Sequence, residues 1–182
     1  AHPLVAPLLG DGGMPFTNTT GTAPFTTPAF TNLSYWHQGQ RFGFGADLTY
    51  TQWDVFKELR VDYANPAQPA TVETFNWDNT LFASVGGEYS ATDTLTLRAG
   101  LAIDSTPTSN ATRDPRVPDQ DRQWISVGLG YKVSDKMDIN IGYAHIFVDK
   151  AYVSATSPTN DVITGNFTDK GNLFSVSAAY RF

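Results

Sequence analysis

Apolar and polar residues alternate one by one through most of this chain, and that alternation decides what it can fold into. In residues 173–182 it runs Phe174, Val176, Ala178, Tyr180, Phe182 against Ser175, Ser177, Ala179, Arg181. A period of two places successive side chains on opposite faces of a strand, so each such segment is a strand with one apolar and one polar face. The same pattern recurs at Phe42, Phe44, Ala46, Leu48, Tyr50; at Leu81, Ala83, Val85, Gly87, Tyr89; at Leu95, Leu97, Ala99, Leu101, Ile103; at Ile125, Val127, Leu129, Tyr131; and at Met137, Ile139, Ile141, Tyr143. A first strand over 30–37 brings the expected total to seven. The alternation slips near Trp53-Asp54-Val55-Phe56 and resumes at Leu59, Val61, Tyr63, which predicts one long strand over 41–62 bent by a β-bulge.

The connections sort by length. Those at 38–40, 91–93 and 134–136 are short, those at 64–78, 104–121 and 149–172 are long, and the two kinds alternate along the chain. Short turns at one end and long loops at the other are the pattern of a transmembrane barrel. The fold class is therefore all-β, a transmembrane antiparallel β-barrel. A terminal strand ending on Phe182 sets the C-terminus in the periplasm and the long loops outside, in the outer membrane of a Gram-negative bacterium. Bacterial single-chain barrels have even strand numbers, and an open seven-stranded sheet leaves backbone groups unpaired in lipid. The chain is thus expected to supply about seven strands of a larger barrel, with the N-terminal half of the same barrel as a separate fragment and partner. A nick in an exposed loop is a natural origin for such a division. Residues 1–28, rich in Pro and Gly, are expected to form an irregular external loop segment, and 29–182 the barrel half.

Composition excludes several other readings. Cysteine is absent, and three scattered histidines (His2, His37, His145) make no metal site, so neither metal nor cofactor is expected. A net charge of −6 argues against a nucleic-acid partner. No stretch is long and apolar enough for a transmembrane helix. Asp47, Glu88, Arg98, Asp138, Asn140 and Arg181 fall on the polar face, as suits a polar barrel interior or mutual ion pairs. No Ser has a neighbouring His in the strand map, so no catalytic residues are assigned and the chain is not expected to be an enzyme.

The stretch from Asp104-Ser105-Thr106-Pro107 to Thr112-Arg113-Asp114-Pro115-Arg116-Val117-Pro118-Asp119-Gln120-Asp121-Arg122-Gln123-Trp124-Ile125-Ser126 resembles the FadL/TodX family. Tyr50-Thr51-Gln52-Trp53, Phe56-Lys57-Glu58-Leu59-Arg60 and Leu97-Arg98-Ala99-Gly100 support the resemblance, which extends over residues 29–182. It implies outer-membrane transport of long-chain fatty acids or other hydrophobic small molecules, and a fourteen-stranded barrel plugged by an N-terminal hatch. The hatch and first barrel half are absent from this chain. A general porin is the alternative function, and an outer-membrane lipid-modifying enzyme or a soluble lipocalin-like carrier are more distant ones.

A fatty acid needs an apolar pocket and one cation for its carboxylate. Arg60 matches a position where the family carries a basic residue near the ligand head group; a structural pair with Glu58 or Asp62 is the other reading. Trp53 and Phe56 flank the phase slip and could wall a pocket for the tail, or simply pack. Leu4, Val5, Leu8 and Leu9 form an apolar patch that could serve as a capture groove or dock on a neighbour. A hydrophobic ligand, or detergent or lipid in its place, and outer-membrane lipid are the expected partners. Asp119, Asp121 and Arg122 are expected to tie their loop to its neighbours.

Overall fold

The structure is a computed structural model, and it describes residues 18–156 and 160–182. Leu4, Val5, Leu8 and Leu9 lie outside the described residues. In chain order the strands are β1 (Gly21–Thr22), β2 (Phe30–Gln38), β3 (Phe42–Thr51), β4 (Glu58–Tyr63), β5 (Thr71–Thr74), β6 (Thr80–Ser90), β7 (Leu95–Asp104), β8 (Arg122–Ser134), β9 (Met137–Val148), β10 (Ala151–Thr156), β11 (Val162–Phe167) and β12 (Lys170–Tyr180). Seven of them form one antiparallel sheet in the order β12-β9-β8-β7-β6-β3-β2. These are the seven segments of alternating sequence.

The pairing is continuous over ten or more residues in most ladders. Leu173 faces Ala144, Ser126 faces Ala144, and Ser126 faces Gly100, so side chains of one parity share a face across the whole sheet. The apolar set is exposed, with Phe174 71%, Val176 61% and Ile103 59% accessible. The opposite, polar face is concave. Its hollow of about 760 Å³ is lined by Ser34, Trp36, Asp47, Glu88, Arg98 and Trp124 among others. Small residues make that space. Gly45 faces Gly86, Gly86 faces Gly100, and Gly100 faces Ser126; one row on, Gly128 faces Gly142 and Gly142 faces Ser175. The indole of Trp36 lies flat over Gly43 and Gly45, where an added Cβ would meet its ring at 2.6 Å in each case.

Two features differ from the sequence expectation. The phase slip after Tyr50 is not a bulge within one strand. Phe56 N donates to Trp53 O at 2.9 Å, closing a 3-10 turn over Trp53–Val55, and β4 then leaves the large sheet. It pairs instead with β1 and β5 in a three-stranded sheet of its own. The one register shift in the large sheet lies between Lys132 and Ser134 in β8. The long connection at 149–172 is also more ordered than its polar sequence suggests. It holds the β10–β11 hairpin, with Ala151 and Val153 each only 1% exposed. The alternation Ala151, Val153, Ala155 against Tyr152, Ser154 was a readable strand signal there.

Gly45 is the tightest of the glycines against backbone: a Cβ there would stand 2.7 Å from Tyr35 O as well as against Trp36. Because the carbonyl belongs to the paired strand, it cannot move without opening the ladder. Gly45→Ala is expected to destabilise the folded protein by about 1–3 kcal/mol, as overpacking does, measured as a lowered midpoint of heat-modifiable gel mobility.

Candidate functional site

At the end of the sheet that carries the long connections, the departure of β4 gathers an aromatic cluster. Asn76 adopts a left-handed backbone conformation (φ 45), open to Asn at modest cost. With it, Phe75 N and Asn76 N both donate to Lys57 O, at 2.8 and 2.9 Å, and Trp77 N donates to Phe56 O at 3.2 Å. These bonds bring Phe75 and Trp77 onto Phe56. The Phe56 ring stacks on Phe75 (4.9 Å), meets Trp77 at 4.9 Å and takes the edge of Phe25 at 5.4 Å. Trp53 closes on Trp77 at 4.9 Å in a T-shaped contact. Each such pair contributes about 0.5–1.5 kcal/mol beyond the area it buries. Trp53 and Phe56, predicted together from sequence, are thus in one cluster bridged by Trp77. Phe25, Phe75 and Trp77 escaped the sequence reading because they lie in irregular stretches with no period to announce them.

Arg60 sits on β4, on the face it shares with Glu58 and Asp62, and all three are exposed. Its Nε donates to Asp62 Oδ1 at 2.9 Å, with both side chains about half accessible (48% and 50%). An ion pair so open to solvent contributes at most about 1 kcal/mol, and the guanidinium's remaining donors face outward.

The connection 105–121 holds this end together. Arg113 is 3% exposed. Its Nε donates to Asp119 O (2.8 Å) and Thr108 Oγ1 (3.3 Å), and its Nη1 to Tyr152 O of β10 (2.8 Å) and to Asn110 Oδ1. Three residues on, Arg116 Nη2 bonds Glu73 of β5 and Asp114, both at 2.7 Å. One loop therefore clamps the β10–β11 hairpin with one arginine and the three-stranded sheet with the other. Of Asp119, Asp121 and Arg122, expected to tie the loop to its neighbours, the two aspartates bond within the loop and Arg122 reaches the adjacent strand. Asp119 Oδ2 accepts from Thr106 Oγ1 (2.6 Å), Asp121 Oδ1 accepts from Thr106 N (2.8 Å), and Arg122 pairs with Asp104 at 3.1 Å. Arg113 is the residue whose importance the sequence concealed, since nothing in its spacing separates it from Arg116.

On the concave face two ion pairs form, and Asp47 is held by hydroxyls. Arg98 bridges Glu88 (3.1 Å) and Asn140 (3.0 Å), Arg181 pairs with Asp138 (2.7 Å), and Asp47 accepts from Ser34 and Ser84. Among the described residues no cluster of His, Asp or Glu could hold a metal ion.

A curved antiparallel sheet, apolar on its convex face, polar on its concave face and with its long connections at one end, is the wall of an outer-membrane β-barrel. The family described as "Outer membrane protein transport protein (OMPP1/FadL/TodX)" matches residues 7–182, and the chain belongs to that family. It is 30% identical over 165 residues to the 47 kDa outer membrane protein of Pasteurella multocida, covering 89% of this chain and 36% of that protein. It is 24% identical over 154 residues to the long-chain fatty acid transport protein of Escherichia coli O6:H1, covering 82% of this chain and 34% of the relative. The crystal structure of a Pseudomonas aeruginosa FadL homologue superimposes with a TM-score of 0.78 at 36% identity, over 84% of this chain and 35% of the homologue. The chain thus spans about a third of the length of the proteins it matches.

Removing the Arg113 guanidinium strands the part-buried carbonyls of Asp119 and Tyr152. Arg113→Ala is expected to cost about 3 kcal/mol and to open the 105–121 loop to protease, with Arg113→Lys restoring little because an ammonium cannot span both carbonyls. The hydrogen bonds from Arg116 hold the Asp114 carboxyl below its ordinary range. A depressed carboxylate contributes stability that is full above the unfolded value of about 3.9 and is lost as pH falls through the folded one. Protease resistance of the loop should therefore stay constant from pH 7 to 5 and fall only below about pH 4, followed by limited proteolysis across a pH series.

Proposed function

We propose that this chain forms part of an outer-membrane transporter for long-chain fatty acids or other hydrophobic small molecules, which bind in an apolar pocket and pass through the barrel without an energy-coupled step. The observation that carries this reading is the five-ring cluster of Phe25, Trp53, Phe56, Phe75 and Trp77. A closed core would suffice to join three short strands, whereas these rings stay partly accessible, and Phe25 is 58% exposed. Aromatic and apolar linings with few polar groups are what a small hydrophobic ligand needs. The naming of the E. coli relative as a long-chain fatty acid transport protein agrees with it.

In this reading Arg60 receives the carboxylate of a fatty acid, exchanging part of its weak pairing with Asp62 for the ligand. Leu4, Val5, Leu8 and Leu9 are further candidates for ligand contact. The short turns and the C-terminus face the periplasm, and the long connections face outward. The free edges of β2 and β12 pair with strands supplied by the rest of the barrel, because a bilayer offers no water to satisfy their backbone groups.

The test is ligand binding by the full-length protein in detergent. Trp77→Ala and Phe56→Ala should each weaken binding of a long-chain fatty acid about tenfold or more. Arg60→Ala should weaken the fatty acid while leaving an uncharged hydrocarbon of equal length unaffected. Unchanged fatty-acid affinity in all three variants, with flux of sugars or phosphate in liposomes, would replace this reading with that of a general porin.

A further inference from the structure

The convex face of the sheet is apolar along most of its length, and apart from Thr31 and His37 on β2 and Gln123 on β8 its polar side chains gather on β9 and β12. On β9 the convex residues run Met137, Ile139, Ile141, Tyr143, His145, Phe147, and on β12 they run Tyr180, Ala178, Val176, Phe174, Asn172, Lys170. Polar groups enter on both strands at the same level, near the end with the long connections. Asn172 Oδ1 accepts two hydrogen bonds there, from the Tyr143 hydroxyl and from His145 Nδ1, both at 2.8 Å. The His145 ring is held edge-on by Phe147 at 4.4 Å.

This arrangement has a chemical direction. With Oδ1 taken by two donors, the Asn172 amide is left with its NH2 to give. With Nδ1–H committed to Asn172, His145 has Nε2 left for a ligand. Lys170 stands one convex position beyond Asn172, opposite Phe147. The register places no carboxylate among its convex neighbours: Gln123 faces Phe147 and Ile125 faces His145. Asp149 and Asp169 lie past the strand ends.

The depth of the site identifies its surroundings. From Met137 to Phe147 the convex residues cover about 33 Å of strand at about 3.3 Å per residue. A tilt near 40° turns that into about 25 Å along the membrane normal, the height of the apolar band of such barrels. His145 and Asn172 then sit about 5 Å inside one border, with Lys170 at the border itself. Hydrocarbon would leave the Asn172 amide and the Lys170 ammonium unsatisfied; an anionic phosphate supplies acceptors and charge for both, whereas a zwitterionic headgroup brings its own ammonium against Lys170.

We propose that Lys170, His145 and Asn172, braced by Tyr143, form a binding site on the outer wall of the barrel for the net-anionic phosphate headgroup of an outer-leaflet lipid, whose acyl chains lie along Phe174, Val176 and Val127. The site is separate from the hydrophobic-ligand pocket, and it rests on the proposed orientation only for the choice of leaflet. It makes the lipid a specific annular partner rather than bulk solvent.

The experiment uses the full-length protein in detergent, titrated with lipid A, phosphatidylcholine and inorganic phosphate, and read by native mass spectrometry. Lipid A should bind one copy more, and at least tenfold more tightly, than phosphatidylcholine. Lys170→Gln combined with His145→Phe should abolish that difference while leaving heat-modifiable mobility unchanged, since Phe suits a lipid-facing position. Asn172→Ala supplies an independent variant with the same expected loss. Equal binding of lipid A by wild type and variants overturns the site, as does phosphatidylcholine binding equal to lipid A. Binding of inorganic phosphate without lipid A overturns the lipid assignment. Leaflet is read separately, by labelling a cysteine placed at Ser109 on intact cells. Failure there reverses the orientation and leaves the lipid measurement standing.

Discussion

Inside a bilayer no solvent repairs an unmade backbone hydrogen bond, and the large sheet is built around that constraint. Each missing pair costs several kcal/mol in hydrocarbon, so six adjacent ladders run nearly unbroken from β2 to β12, with one register shift confined to the short-turn end of β8. Once the ladders are fixed, side chains are free to serve two unlike surroundings. The convex face can be greasy without aggregating into a core, and the concave face can be hollowed by glycine without losing stability. This explains why the sheet itself buries so little. The most deeply buried side chains, Ala151, Val153 and Arg113, belong to the connections.

Those connections follow a different physics. They cannot rely on lipid to order them, and they are too short to form a large core. Loop 105–121 orders them by spending arginine donors on backbone carbonyls and carboxylates in turn. Arg113, buried and bonded to Tyr152 O and Asp119 O, fixes the β10–β11 hairpin; Arg116, exposed and bonded to Glu73, fixes β5. A guanidinium can do both because its donors form a rigid fork that matches several acceptors at once. The Pro-rich, charged composition of that loop therefore marks a joint, not a tether.

What the sequence made legible follows the same division. Strands that face lipid on one side and a polar interior on the other must alternate, so all seven could be located and their side-chain faces read, and six of them could be bounded within a few residues of their true ends. Where the chain leaves the membrane wall, the alternation loses its cause. Residues 41–62 kept a period of two on both sides of Trp53, and only the backbone shows that the second half belongs to another sheet. A phase slip looks the same in sequence whether a strand bulges or ends, because both insert residues between two alternating runs. The aromatic partners of Phe56 were hidden for the related reason that Phe25, Phe75 and Trp77 sit in segments without periodicity. His145 was legible only as a residue on the apolar face, and its bond to Asn172 depends on a register that spacing alone does not state.

The break at Gln52 is also what separates binding from passage in the proposed transport. The concave hollow sets the Arg98–Glu88 ion pair and Asp47, hydrogen-bonded by two serines, beside Trp36 and Trp124, and a hydrocarbon tail gains nothing by displacing water from the charged groups. The rings that could hold a tail stand instead where β3 has left the sheet, above the wall. Had the strand continued through a bulge, Trp53 and Phe56 would have stayed on the ladder, with no loop chain folded back onto them. The 3-10 turn redirects the chain so that both meet Trp77. In the proposed transport a hydrophobic ligand is met by a surface made of connections, which can be varied without disturbing a single ladder bond of the wall beneath them.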